Sequence, residues 1–377
     1  DLGQSPGDIV ILSAADSELA TFSDAYRNMQ ESAPSLRLAS LLDLGHNMSV
    51  DLYVESVIGG AKLVIVRLLG GRGYWPYGVE QIAAECFRNK TPLALLPGDD
   101  QPDAELATLS TLKPEACHRL WQYCVHGGPA NSRQFLNYVV SLLDENTDWL
   151  EPQPLLRGGL YKKGSGDIAL DHLRADWVEG QPTAALVFYR ALVQGGNLRA
   201  VDAMIDGLQK VGLNPLPVYV ASLKDPVAAA TLEQVLEDAP PDVILNATGF
   251  AVSSPGAKRT PTPFNTCGAT ILQVVFSSSS IDSWRDGLHG LSARDIAMNV
   301  ALPEVDGHVL SRAVSFKGLS RSDDKTQSNI VTYEPVADRI DFVCTLAANW
   351  ARLARTEARE RRVALILANF PNRDGRI

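Results

Sequence analysis

The sequence has no uninterrupted apolar run of about 18 residues, the length a membrane-spanning helix requires, so none is expected. Residues Asp1 to Gly7 carry no basic, apolar leader, which argues against a secretory signal. There is no CxxC pair. The five cysteines (Cys86, Cys117, Cys124, Cys267 and Cys344) are scattered and odd in number, as expected for reduced thiols in a cytoplasm. The six histidines are equally dispersed, and Cys117-His118 with Cys124 and His126 matches no zinc-ligand spacing. Excess positive charge is missing too: 34 Lys and Arg face 44 Asp and Glu, a net charge of -10, which repels nucleic acid.

Several motifs are absent. No GxGxxG, GxSxG or HExxH occurs. The nearest approach to a nucleotide-binding P-loop, Gly159-Leu-Tyr-Lys-Lys-Gly164-Ser165, lacks the phosphate-binding lysine after its second glycine. No cofactor is therefore expected to be bound by motif in this chain.

What is present is the composition of a folded α/β protein: 45% hydrophobic and 21% charged residues. At roughly 150 residues per domain, 377 residues make about two and a half domains. Residues 1–145 alternate apolar runs with helical periods, with strands at 8–14, 36–41, 61–69 and 91–96. Between them come helices from Asp16 to about Ser32, from an N-cap at Ser49, and from Pro76. Helices at 114–125 and 131–143 close the unit.

Residues 146–182, rich in proline and glycine, read as a linker or hinge. A second alternating unit spans 183–356, with strands at 183–189, 215–220, 242–246 and 270–276 and an Asp225-Pro226 helix start. Ser292-Ala-Arg-Asp295 is a capping box, Asp306-Gly307 between apolar runs predicts a β-hairpin, and a helix covers about 338–355. Residues 357–377 bring one more apolar run, Arg362–Phe370, read as the opening strand of a third domain continuing past Ile377. The fold class predicted is α/β: consecutive doubly wound parallel sheets, flavodoxin- or Rossmann-like, with a β-hairpin insertion in the second.

In such sheets ligands lie beyond the carboxyl ends of the strands, and two loops there are rich in chemistry. The first follows the strand at 61–69. Gly70 and Gly71 let backbone amides approach a ligand, Arg67 and Arg72 suit carboxylates, and Tyr74 and Trp75 suit a flat ring system. The second is Arg190 followed by Gly195, Gly196 and Asn197, a nest at a helix start. Packing and domain contact are the competing readings for both loops. Residues 1–150 hold 10 basic and 19 acidic groups, so the second unit, with Arg190, is the better home for a polyanion.

Certain stretches are distinctive. They include Asn47-Met-Ser-Val-Asp-Leu-Tyr53, Leu68-Leu-Gly-Gly71 with Tyr74-Trp-Pro-Tyr77, Leu96-Pro-Gly-Asp-Asp100, and Phe188-Tyr-Arg-Ala-Leu-Val-Gln-Gly-Gly-Asn-Leu198. Further along come Val220-Ala-Ser-Leu-Lys-Asp-Pro226, Val243-Ile-Leu-Asn-Ala-Thr-Gly-Phe-Ala251, Gly290-Leu-Ser-Ala-Arg-Asp295, Ala301-Leu-Pro-Glu-Val-Asp-Gly307 and the terminal Asn369-Phe-Pro-Asn-Arg-Asp-Gly-Arg-Ile377. In these stretches the chain resembles the CobN/magnesium chelatase H family, on its cobaltochelatase branch.

The resemblance implies the N-terminal part of a larger, tetrapyrrole-binding subunit. That subunit would insert Co²⁺ into hydrogenobyrinic acid a,c-diamide during aerobic cobalamin biosynthesis. ATP would be hydrolysed by separate AAA+ subunits of the CobS and CobT type, and the carboxylate and histidine of insertion would lie beyond Ile377. The alternatives are a magnesium chelatase H-type protein acting on protoporphyrin IX, and a docking or binding module without chemistry of its own. On the first reading, the corrin's carboxylates would meet Arg67, Arg72 or Arg190, and Tyr74 and Trp75 would cover its face.

Overall fold

The computed structural model describes residues 2–144, 147–163, 165–254, 256 and 258–366. The chain forms β1 (Ile9–Ser13), α1 (Asp16–Arg27), β2 (Leu36–Ser40), α2 (Asn47–Ser56), β3 (Leu63–Leu68), α3 (Pro76–Asn89), β4 (Leu93–Pro97), α4 (Ala104–Leu109), α5 (Pro114–His126) and α6 (Gly128–Ser141). These strands make a four-stranded parallel sheet in the order β2-β1-β3-β4. Successive side chains of β1 and β3 point to opposite faces. Val10, Leu12, Val64 and Val66 enter one apolar cluster, and Ile9, Ile11, Leu63 and Ile65 enter another. Continuous apolar strands thus follow from a sheet covered on both sides. Each such buried side chain contributes about 1.5–3 kcal/mol.

The second sheet is built from β5 (Gly158–Lys162), β6 (Ser165–Ile168), α7 (Leu170–Arg174), β7 (Thr183–Tyr189), α8 (Arg190–Gln194), α9 (Arg199–Lys210), β8 (Asn214–Val220), α10 (Pro226–Asp238), β9 (Val243–Asn246) and β10 (Thr270–Ser277). After these come α11 (Ile281–Asp286), α12 (Ala293–Ile296), α13 (Leu302–Val305), β11 (Val309–Asp323), β12 (Ser328–Pro335) and α14 (Ala337–Arg355). Eight strands lie in the order β12-β11-β10-β9-β7-β8-β5-β6, parallel from β11 through β8. The expected α/β class with consecutive doubly wound sheets is the architecture found.

Four expectations change in detail. Residues 158–162 and 165–168, assigned to a linker, are strands: β5 pairs antiparallel with β8, and β6 with β5. Gly158 is there because a Cβ would sit 3.2 Å from the Cα of Ala228 on α10, so the glycine permits close packing rather than hinging. Helix α2 starts at Asn47 and is capped by His46, whose Nδ1 accepts from the amide of Met48; Ser49 lies within the helix.

The β-hairpin exists, but its turn is at residues 324–327. Asp306-Gly307 instead ends α13, and the buried Asp306 carboxylate accepts from the amides of Val252 (2.6 Å) and Ser253 (3.0 Å). Arg362–Ile366 are exposed without regular structure, and residues 367–370 of the expected terminal strand lie outside the described residues. Between α12 and α13 the helix widens into a π turn at Ala297–Ala301, where Met298 accepts from the amide of Phe250.

The β11–β12 hairpin leaves its own sheet and grips the first. Lys317 pairs with Asp16 (2.8 Å) and Arg321 with Asp24 (2.7 Å), while Ser23 donates to Asp323. Gln4 donates to the carbonyls of Gln327 (2.7 Å) and Leu38 (2.8 Å), and the Leu38 amide donates to Thr326.

Candidate functional site

The two sheets face each other with their strand ends. The segments after β1 and β4, Arg67 of β3 and the segments after β7 and β8 surround a cavity of about 290 Å³. In each sheet the chain reverses its direction of winding next to the central strand (β1 or β7), the place where open α/β sheets bind ligands.

Arg67, on β3, lies in its wall and is 4% exposed. Its guanidinium pairs with Glu18 of α1 (2.7 Å) and donates to the carbonyls of Pro97 and Gly98. Ser13 donates to the same Glu18 carboxylate at 2.7 Å. Burial opposes the Arg67 charge, but the Glu18 carboxylate more than offsets it and holds the guanidinium protonated. The neighbouring Cys124 thiol is pushed up to about 12 by burial, so it is not a nucleophile.

Arg157 also lines the cavity, paired with Asp100 (2.9 Å) from the first sheet's loops and Asp225 (2.7 Å) from the second's. Its hydrogen bond holds the Asp100 carboxyl below the usual range. Arg190, at the start of α8, donates to the carbonyls of Leu156 (2.7 Å), Leu155 (2.9 Å) and Val125 (3.3 Å). Burial lowers its pKa, and no carboxylate pairs with it among the described residues.

The structure brings Arg67, Arg190 and Gly195 to this cavity. The rest of the first loop lies elsewhere. Gly70 and Gly71 adopt φ of 89° and 68°, which turns the chain away from β3. Arg72 is tied to Glu80 and Glu105, each at 3.0 Å, and Tyr74 is 47% exposed. Trp75 is buried in the core between sheet and helices, donating from Nε1 to Leu44 (2.9 Å).

In the second loop, glycine serves contact between the two sheets. A Cβ on Gly195 would lie 2.3 Å from that of Ser17, and its carbonyl accepts from Thr21. Gly196 has φ of 59°, and the buried Asn197 accepts from the amide of Tyr333. Sequence reasoning missed Glu18, Ser132 and Arg157. A paired acid for a buried arginine is a legible signal in retrospect; nothing in the sequence pointed to Ser132.

A second polar cluster is buried in the second sheet. The amide of Thr248 donates to Asn246 Oδ1, so Asn246 Nδ2 donates to Gln273 Oε1 (2.9 Å). Gln273 Nε2 donates to the Thr248 carbonyl (2.7 Å). Gln273 Oε1 therefore also accepts from His308 Nδ1 (3.0 Å), an assignment made from the network, and Nε2 carries an unprotonated lone pair. That Nε2 is buried with no hydrogen-bond partner among the described residues. Burial pulls the His308 pKa down to about 4. Among the described residues, no group of three or more His, Cys, Asp or Glu is arranged to hold a metal ion, and no helix is long and apolar enough to cross a membrane.

Comparison with known proteins places this geometry. The chain is 47% identical, over all of its length, to the aerobic cobaltochelatase subunit CobN of a Sinorhizobium species, and 44% identical to that of Pseudomonas aeruginosa. It spans about 30% of the length of each of these curated relatives. The H-type magnesium-chelatase protein of Rhodobacter capsulatus is 24% identical over 67% of the chain, which covers 23% of that protein. Among solved structures, the catalytic subunit of cobaltochelatase from Mycobacterium tuberculosis superposes with a TM-score of 0.66 at 26% identity. That match covers 92% of this chain and 27% of the other. A model of the CobN/Magnesium Chelatase family matches residues 121–377. The chain belongs to the CobN/magnesium chelatase family.

Proposed function

We propose that this chain is the N-terminal part of the tetrapyrrole-binding large subunit of a cobaltochelatase, which inserts Co²⁺ into hydrogenobyrinic acid a,c-diamide. The observation that carries the reading is the level of identity. Relatives named as cobaltochelatase subunits reach 44–47% over the whole chain, whereas an H-type magnesium-chelatase protein stands at 24% over 67%. The substrate is cobalt and the energy source is ATP, hydrolysed by separate AAA+ subunits of the CobS and CobT type; the missing P-loop supports that division of labour. The setting is the cytoplasm, in keeping with five free cysteines.

The arginines read from the sequence take unequal parts in this proposal. Arg190 remains the candidate for a substrate carboxylate, because it alone of Arg67, Arg72 and Arg190 has no carboxylate partner among the described residues. Trp75 serves as a core residue. The test is an ATP-dependent insertion assay on the full-length subunit with its ATPase partners, run beside residues 1–377 alone. Cobalt insertion is expected only from the complete assembly; insertion by residues 1–377 alone would refute the division of labour. Tighter binding of protoporphyrin IX than of the corrin would move the protein to the magnesium branch.

A further inference from the structure

The cavity between the sheets has unused binding capacity. Ser132, on α6, lines it and is 6% exposed, yet its hydroxyl has no hydrogen-bond partner among the described residues. A ligand in the cavity that pairs with this hydroxyl would gain a neutral hydrogen bond, worth about 0.5–1.5 kcal/mol. Arg190 lines the same cavity. Of its five N–H groups, four donate to backbone carbonyls, which leaves one on Nη1.

One lining cation is left open. Arg67 is paired with Glu18, Arg157 is held by both Asp100 and Asp225, and Asp99 also lines the cavity, so Arg190 is the lining guanidinium without a carboxylate partner among the described residues. The Arg190 guanidinium is partly desolvated and hydrogen-bonds only to backbone carbonyls among the described residues, with Arg157 and Asp100 acting on it from further off, and an entering anion would stabilise its charge. Helix α1 also starts at the cavity wall without a side-chain cap, and its first-turn acids are already engaged, Asp16 by Lys317 and Glu18 by Arg67. Its N-terminal dipole therefore adds to the positive potential.

We propose that this cavity binds a carboxylate, with Arg190 meeting the charge and the Ser132 hydroxyl donating to the same ligand. At about 290 Å³ it is at the small end of ligand pockets, so it takes a compact acid or a single carboxylate arm of a larger molecule. Because walls from both sheets meet the ligand, binding holds the two sheets together. Beyond the free acid, the second source of such a group is the rim of the tetrapyrrole; that arm of the test alone rests on the proposed function.

The test uses the intact chain and two probes, succinate and a carboxylated corrin, titrated by calorimetry against wild type, Ser132→Ala, Ser132→Leu and Arg190→Lys. Ser132→Ala is expected to weaken binding about 2- to 10-fold, the worth of a neutral hydrogen bond. Arg190→Lys loses the forked geometry and is expected to cost about 10- to 100-fold. Ser132→Leu replaces the hydroxyl with a bulky apolar side chain that intrudes on the cavity, and is expected to abolish binding while leaving the Arg190 contacts in place. Circular dichroism checks that each variant is folded, and the two Ser132 variants decide the matter if Arg190→Lys is not.

Succinate binding lost in Ser132→Leu supports a site for a free small acid. Corrin binding alone, weakened in the same variant, supports the same site occupied by a rim carboxylate. Binding of either probe at unchanged affinity in both Ser132 variants, or no binding of either by wild type, overturns the proposal. Neither result bears on ATP-dependent cobalt insertion, which is measured separately.

Discussion

Acidification tests the buried histidine. The His308 pKa falls from 6.5 to about 4 because burial disfavours the imidazolium. The folded state therefore binds fewer protons than the unfolded state between those values. Stability is fully present above pH 6.5 and falls as the pH drops towards 4. At about 1.4 kcal/mol per pH unit, the whole interval is worth about 3 kcal/mol. The perturbation that isolates it is His308→Asn, because the Asn amide can replace the Nδ1–H donor to Gln273 without titrating. It also removes the lone pair on Nε2 that lacks a partner.

The assay is urea unfolding of both proteins at pH 7.0, 5.5 and 4.5, followed by circular dichroism. With slopes of about 1–3 kcal/mol per molar urea, wild type should lose roughly 1–3 M of midpoint that the variant keeps. Other carboxylates titrate in both proteins and cancel in the comparison. Parallel loss of stability in the two proteins would falsify the assignment of a neutral, buried His308.

Three further outcomes follow from the packing. Gly195→Val places side-chain atoms where Ser17 already sits, 2.3 Å from the Cβ position. It should cost at least about 1–3 kcal/mol in thermal unfolding, and an unchanged melting temperature would contradict the close approach of α1 and α8. Trp75→Ala should cost about 3–5 kcal/mol of stability and, in the fraction that stays folded, leave tetrapyrrole affinity unaltered; a selective loss of binding would return Trp75 to the ligand site. With a colorimetric thiol reagent, half-buried Cys117 and Cys267 should react in the native protein. Cys86, Cys124 and Cys344, with thiols pushed up to about 12 by burial, should react only after unfolding.

The buried strands were legible because a sheet covered on both faces demands continuous apolar runs, and Thr183–Tyr189 matches its expected bounds. Helix starts were legible where backbone chemistry is local, as at Pro76 and Asp225-Pro226. The region 146–182 misled because glycine has two uses. Gly158 reads as flexibility, whereas its absent side chain makes room for α10. Gly195 misled in the same way: an anion nest and a tight contact between sheets require the same residue. Trp75 shows the converse, since a loop aromatic and a core aromatic differ only in where the chain turns, and Gly70 and Gly71 turn it inward. Asp306-Gly307 has the composition of a hairpin turn, but the carboxylate was needed by the amides of Val252 and Ser253. Of the cavity, the arginines and glycines stood out, while Ser132 and Glu18 acquire meaning only from what long-range packing sets beside them.

The β11–β12 hairpin has a consequence for how the chain is made. Lys317 meets Asp16 across 301 positions of sequence, and Gln327 meets Gln4 across 323. A ribosome adding roughly 5–20 residues per second needs tens of seconds to travel that far. During that interval β2, an outer strand of the first sheet, waits without the Thr326 carbonyl that later accepts from the Leu38 amide. An outer strand left open is a template for pairing with another nascent chain. The first sheet is therefore most exposed to misassembly after it has been synthesised and before its latch emerges, so slowing translation between residues 40 and 317 should raise the aggregated fraction.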